Sequence, residues 1–313
     1  MKNKTFLITG GNGFIGTKIV EKLVFQGFTP SLLLRKNSNR KRLLPFAGRI
    51  EIFEADLRDG KIIASILRRV NPTIIIHLAG YGVYSYGNMS SENIGLMIDS
   101  NIKGTINLLY AAHNTNCKLF INTGSCFEYG SSNLPFKENS MLNPNNMYGV
   151  TKSTATFFCQ AFSKKNKFAI LNLRPFTVYG PGEDERRFVS TVIKQCLEGK
   201  NPSLSKKKIV RDYIYIDDVA DAYLCALDFG EKLSGEIINV STGKGTVLED
   251  VARMVIRLTG ANVIPDIGSF SLRDGEVLAL IGDTAKAEKL LGWKAKYSLE
   301  EGIKKTIAWI KKI

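Results

Sequence analysis

Residues 5–16 read Thr-Phe-Leu-Ile-Thr-Gly-Gly-Asn-Gly-Phe-Ile-Gly, and a helical apolar pattern takes over across 17–26. An apolar strand that stops at a glycine turn and restarts as a helix opens a βαβ unit, which points to a parallel sheet covered by helices. Glycines at 10, 13 and 16 let backbone come close to a pyrophosphate. The helix start adds unpaired N–H groups and the positive end of its dipole. The spacing Gly10-x-x-Gly13-x-x-Gly16 departs from the G-x-G-x-x-G form. Gly10, Gly13, Phe14, Ile15 and Gly16 are the expected dinucleotide contacts.

The N-terminal half repeats this alternation. Strands are expected at 31–34, 50–53, 73–76, 119–122 and 168–173, with helices at 61–70, 92–115 and 148–162. Beyond 175 the pattern turns irregular, with helices at 188–197, 217–227, 248–258 and 299–312 and strands at 213–216 and 237–240. Six or seven strands alternating with helices predict an α/β fold: a doubly wound parallel sheet of Rossmann type with a smaller, partly discontinuous C-terminal substrate-binding domain. The expected division is 1–175 with about 208–242 for the dinucleotide domain, and about 176–207 with 243–313 for the substrate domain.

In open parallel sheets ligands gather at the carboxyl ends of strands. The second strand ends in Arg35-Lys36, with Ser38 and Arg40 just beyond. An acid there would take ribose hydroxyls, whereas a cation suits a 2′-phosphate, so NADP is expected with Arg35 as a contact and NAD is the alternative. The fourth strand ends His77-Leu78-Ala79-Gly80, where a bound ring could pass close; His77 itself reads as a core histidine. The loop over 81–91, opening with Tyr81, is rich in Gly, Tyr and Ser and suits a polar ligand. The fifth strand opens into Thr123-Gly124-Ser125, which sets a hydroxyl where a substrate carbonyl would come.

Tyr148 and Lys152 stand four apart on an expected helix and therefore share a face. A nearby cation favours the phenolate and moves a phenol with a pKa of about 10 toward the range of general acid–base work. By itself that spacing is also ordinary surface chemistry.

Composition narrows the classes. Hydrophobic residues make up 44% of the 313, enough for a large core. Five scattered Cys (117, 126, 159, 196, 225), no C-x-x-C pair and two His give no expectation of a metal site, and the cysteines read as reduced residues of a cytoplasmic protein. The basic start runs into an apolar stretch that ends in Thr9-Gly10-Gly11, which reads as a first strand and not as a signal peptide. No stretch nears the roughly 18 apolar residues of a membrane span. The net charge of +14 is spread along the chain without interleaved aromatics. That favours a solvated basic surface, with help for an anionic ligand second and nucleic acid last.

Together, TGGNGFIG, ADLRD, HLAG, TGS ahead of YGVTK, and RPFTVYGPG resemble the extended short-chain dehydrogenase/reductases, which act on nucleotide-diphosphate sugars. The resemblance implies a catalytic set of Ser125, Tyr148 and Lys152. Tyr148 would exchange a proton with the sugar oxygen, Ser125 would hydrogen-bond it, and Lys152 would bind the nicotinamide ribose and depress the tyrosine pKa. It implies further cofactor contacts at Asp56 (adenine), Leu57, Leu78, Ala79 and Asn101. Tyr81, Ser125 and Thr177 would touch substrate, Thr177 standing where many relatives have Asn. Arg211 and Arg273 would clamp the diphosphate. A homodimer is expected by resemblance alone.

Cys126 and Phe127 stand where dehydratases of the family carry acids, and Glu128 comes one position late. Dehydration is therefore not expected. Arg35-Lys36 fits a reductase consuming exchangeable NADPH, and the run RPFTVYGPGEDERRF with the later LRDGE and LGW is similar to the CDP-abequose and CDP-paratose synthase type. The leading expectation is NADPH-dependent reduction of the C4 keto group of an NDP-4-keto-6-deoxyhexose, including a CDP-linked 3,6-dideoxy form, in deoxysugar and O-antigen (lipopolysaccharide) biosynthesis. The alternative is an NDP-hexose 4-epimerase with tightly bound NAD. A noncatalytic NADP-binding regulator is the third reading. Membrane and nucleic-acid partners are not expected.

Overall fold

The computed structural model describes residues 4–85, 87–272 and 274–312. Strands β1 (Phe6–Thr9), β2 (Ser31–Leu34), β3 (Glu51–Glu54), β4 (Ile74–His77), β5 (Leu119–Thr123), β6 (Ile170–Pro175) and β10 (Ile237–Val240) form a seven-stranded sheet in the order β10-β6-β5-β4-β1-β2-β3. Every pairing in it is parallel. The doubly wound Rossmann-type sheet is thus the fold of this chain.

The strands read as unbroken apolar runs because both faces are covered. Phe6 and Ile8 join Ile19, Val20 and Leu23 of α1 (Phe14–Phe25) and Val219 and Tyr223 of α7 (Ile216–Phe229) on one face. Leu7 and Ile75 turn the other way, onto Ile63 and Leu67 of α2 (Gly60–Val70) and Leu108 and Leu109 of α4 (Gly104–His113). Winding reverses between β1 and β4, which opens the crevice at their carboxyl ends.

The single helix expected over 92–115 is instead α3 (Ser91–Met97), a π-helical stretch (Ile98–Lys103) and α4. Asn101 sits inside the π-helical stretch, buried, where the wider turn accommodates its side-chain bonds. The strand expected at 213–216 is longer, β9 (Val210–Tyr215), and lies outside the main sheet. It is the centre of a smaller sheet with β7 (Thr177–Tyr179) and β13 (Ala279–Leu280) parallel to it and β11 (Gly245–Val247) antiparallel. The two-residue strands β8 (Ser203–Leu204) and β12 (Asp266–Ile267) pair with each other alone. Strands of two or three residues are too short to show a period, so the sequence hid them. Helix α5 (Met147–Asn166) carries Tyr148 and Lys152. Among the described residues no helix is long and apolar enough to cross a membrane.

Candidate active site

The cofactor side is built from backbone. Gly10 has φ +68°, and a Cβ there would meet the Ala79 nitrogen at 2.7 Å. A Cβ on Gly16 would sit 2.2 Å from the Gly10 carbonyl, and one on Gly13 3.1 Å from the same atom. Gly13 caps α1 without any side-chain hydrogen bond, so the helix N-terminus faces the crevice uncapped. Phe14, Ile15, Leu78 and Gly80 complete the wall. Leu78 and Ala79 are pinned to Thr9, through the Thr9 carbonyl at 3.1 Å and its hydroxyl at 3.2 Å. An uncapped N-terminus beside backbone with no room for side chains fits the pyrophosphate of a dinucleotide.

The adenosine end differs from its sequence reading. Arg35 is exposed at the end of β2, but the parallel register sets Glu54 opposite Leu34, and Arg40 forms an ion pair with that carboxylate. A carboxylate therefore stands among the cations on which the NADP expectation rested. Asp56 follows β3 and takes the Arg58 fork at 2.9 and 2.8 Å, which holds its carboxyl below the usual range. Asn107 donates to the Leu57 carbonyl at 2.8 Å, while the Leu57 side chain lies against Gly104.

The chemistry lies at the ends of β5 and α5. Asn146 caps α5 by accepting the Gly149 N–H at 2.9 Å, and a Cβ on Gly149 would strike the Phe127 carbonyl at 2.3 Å. Helix start and Ser125 turn are thereby pressed together, and Ser125, Tyr148 and Lys152 line one cavity of roughly 240 Å³ with the glycine turn. Burial raises the Tyr148 phenol above its ordinary value and Cys126 pushes the same way; a hydrogen bond with Ser125 and the Arg187 charge pull it back. Burial lowers Lys152, against the pull of the Glu128 carboxylate. The net depression of Tyr148 expected from Lys152 is not what this geometry gives, because burial outweighs the cations.

His77 bonds Thr9 Oγ1 at 2.6 Å and Thr105 Oγ1 at 2.9 Å, and burial with the nearby Lys152 charge pushes it down to about 3. It is a neutral core histidine. Asn101 accepts the Tyr81 N–H at 2.8 Å and donates to the Tyr81 carbonyl and the Thr151 hydroxyl at 2.8 and 2.9 Å, tying the loop after β4 to α5. The Tyr81 hydroxyl donates to Asn93 at 3.1 Å and does not line the cavity; Tyr84 does.

Past Phe127 and Thr177 the cleft widens into a second cavity of roughly 410 Å³. Arg211 lines it and pairs with Glu276. Arg273 lies outside the described residues. Sequence reasoning missed Arg187 and Glu183, which line both cavities. Arg187 caps the start of α6 (Phe188–Leu197), and its Nε lies 3.5 Å from Glu183, whose carboxyl burial pushes up to about 7. The paired arginines in GEDERRF were the available signal. Cys126 is buried and its thiol pushed up to about 12, and Phe127 carries no acid. Glu128 is turned away into a buried pair with Arg174.

The NAD dependent epimerase/dehydratase family model matches residues 6–241. A putative UDP-glucose 4-epimerase of Methanocaldococcus jannaschii is 31% identical, covering 97% of this chain and 98% of its own. UDP-glucose 4-epimerase 2 of Oryza sativa subsp. japonica is 29% identical over 99% of this chain and 82% of its own. Among solved structures, the Thermus thermophilus UDP-glucose 4-epimerase complex with NAD superposes with TM-score 0.88 at 27% identity, covering 98% of this chain and 99% of that one. The Thermotoga maritima UDP-glucose 4-epimerase with UDP-glucose gives 0.89 at 27%, with the same coverage.

These relatives are 4-epimerases and overturn the expected 4-ketoreductase of the CDP-abequose and CDP-paratose type. The Thermus thermophilus structure holds NAD, the cofactor given above as the alternative to NADP. The missing acids at 126 and 127 argue only against dehydration: oxidation and re-reduction at one carbon needs no second acid.

Proposed function

We infer, from the premise that this chain belongs to the NAD dependent epimerase/dehydratase family, that it interconverts the C4 epimers of a UDP-hexose or UDP-hexuronate with NAD retained. The observation carrying this reading is the convergence of Ser125, Tyr148 and Lys152 on one cavity with the glycine turn, with no acid at 126 or 127. NAD, when bound, supplies a reversible hydride acceptor and a positive charge. Gly10, Gly13 and Gly16 would hold its pyrophosphate, Asp56 and Leu57 its adenine end, and Lys152 its nicotinamide ribose.

With the positive charge of bound NAD offsetting the burial that raises it, Tyr148 as phenolate would take the proton from the C4 hydroxyl as C4 is oxidised, and Ser125 would hydrogen-bond the resulting carbonyl oxygen. The sugar turns over in the cleft, and Tyr148 returns the proton when C4 is reduced on its other face. Nothing is consumed. Positioned acid–base catalysis of this kind contributes about 10²–10⁴-fold. Arg211 and Arg187, whose forks suit phosphate oxygens, would hold the diphosphate in the larger cavity. Thr177, on the wall shared by both cavities, would touch the sugar.

Cofactor released by denaturing purified protein, followed by incubation of native protein with UDP-glucose and UDP-glucuronate, tests the reading. Released NAD and appearance of the C4 epimer without net absorbance change at 340 nm are expected. Stoichiometric NADPH oxidation on a 4-keto sugar, with no epimer formed, would overturn it.

A homodimer would pair the α4 and α5 faces. Tyr110, Phe157 and Phe158 are 61%, 56% and 45% exposed there, more apolar surface than one isolated side chain accounts for.

A further inference from the structure

We propose that Glu128, clamped by Arg174, is a positioning residue for Ser125. The proposal rests on the role given to Ser125 above.

Glu128 and Arg174 are 0% and 1% exposed. One oxygen of Glu128 accepts the Ser125 N–H at 2.7 Å. The other takes Arg174 Nε at 2.9 Å and Nη2 at 2.8 Å, a fork that fixes the carboxylate plane. Arg174 is held in turn: Nη1 donates to the Tyr129 hydroxyl at 2.8 Å, that hydroxyl donates to Asn239 at 2.8 Å, and the guanidinium lies 4.7 Å over the Tyr129 ring. Hydrogen bonds thus run from β10 through β6 to the catalytic turn.

The turn is shaped for this contact. A Cβ on Gly124 would fall 2.5 Å from Glu128 Oε1 and 3.0 Å from Arg174 Cγ, so a side chain there would drive the carboxylate off the Ser125 N–H. Ser125 Oγ accepts the Phe127 N–H at 3.2 Å, which leaves its hydroxyl proton to be donated. A buried ion pair is a poor source of stability but a strong constraint on geometry when its hydrogen bonds are satisfied. Here what it constrains is the backbone of a residue in the reaction cavity. The same carboxylate acts on Lys152 and Tyr148, favouring the charged amine and the neutral phenol.

Kinetics of Glu128→Gln and Arg174→Lys, each in wild-type and Ser125→Ala backgrounds, test the proposal. Thermal unfolding and NAD content of each variant serve as controls. In the wild-type background kcat should fall on the order of tenfold for either change, with KM within about twofold, as expected when a reacting group is displaced by a fraction of an ångström. In the Ser125→Ala background Arg174→Lys, which leaves the Glu128 charge on Lys152 and Tyr148 in place, should not lower kcat further, because it acts through the absent hydroxyl. Arg174→Lys keeps both charges buried and so remains informative if Glu128→Gln does not fold. Equal losses from Arg174→Lys in both backgrounds, or no loss in either variant, would sink the proposal. If Ser125→Ala alone leaves kcat unchanged, the function proposed above is at fault instead.

Discussion

The wall proposed to hold the cofactor is made of backbone, and the wall proposed to hold substrate is made of charge pairs. At the first, Gly10, Gly13 and Gly16 leave no room for side chains, and the ligand site is the path of the chain itself. At the second, Arg211 faces Glu276 and Arg187 faces Glu183, each cation already matched by a carboxylate. The backbone wall admits no Cβ at Gly10 or Gly16. The charged wall can exchange partners, because a diphosphate competes with a carboxylate for the same fork. One wall would then set retention of the dinucleotide and the other affinity for substrate.

Tyr148→Phe, at the junction, should have the largest effect, a loss of about 10²–10⁴ in kcat with copurifying NAD unchanged. Loss of NAD in this variant would blur the division between the walls. Glu183 comes next, and its sign is fixed by burial. Its folded pKa of about 7 exceeds the ordinary 4.5, so its contribution to stability is present below about pH 4.5 and lost as pH rises through about 7. Relative to Glu183→Gln, denaturant titrations should show wild-type stability falling by about 3 kcal/mol across that window. Equal pH dependence in the two proteins would mean that the carboxyl is solvated.

Gly16→Ala should cost about 1–3 kcal/mol, the range for forcing a group into packed structure, and should deplete copurifying NAD before it changes the KM for UDP-sugar. Arg211→Met should do the reverse, raising KM about tenfold with kcat and NAD content held, the mark of binding energy shared by ground and transition states. If Arg211→Met lowered kcat alone, the substrate wall would be part of the chemistry and the contrast would fail.

The cofactor wall was legible because its signal is local. Glycine 10, 13 and 16, the strand before and the helix after are contiguous, and the sterics that require glycine need no distant partner beyond the neighbouring strand. The Tyr148–Lys152 spacing was legible for the same reason, since four residues on a helix share a face wherever the helix lies. The substrate wall was not. Glu276 is 65 residues from Arg211, and their pairing exists only once β9 is placed. The Arg35-Lys36 reading meets the same limit: strand register sets Glu54 opposite Leu34, where it pairs with Arg40, and a register is not written in either strand alone.

By itself, then, the sequence determined the parallel doubly wound sheet and the glycine turn, carried by short-range period and sterics, while Ser125, Tyr148 and Lys152 as a set came from the resemblance. The tertiary structure decided which charges cancel, which way burial moves each pKa, and that Glu128 accepts the Ser125 N–H within a buried pair with Arg174. Those are properties of distance and desolvation, and both are set by segments that meet only in the folded chain.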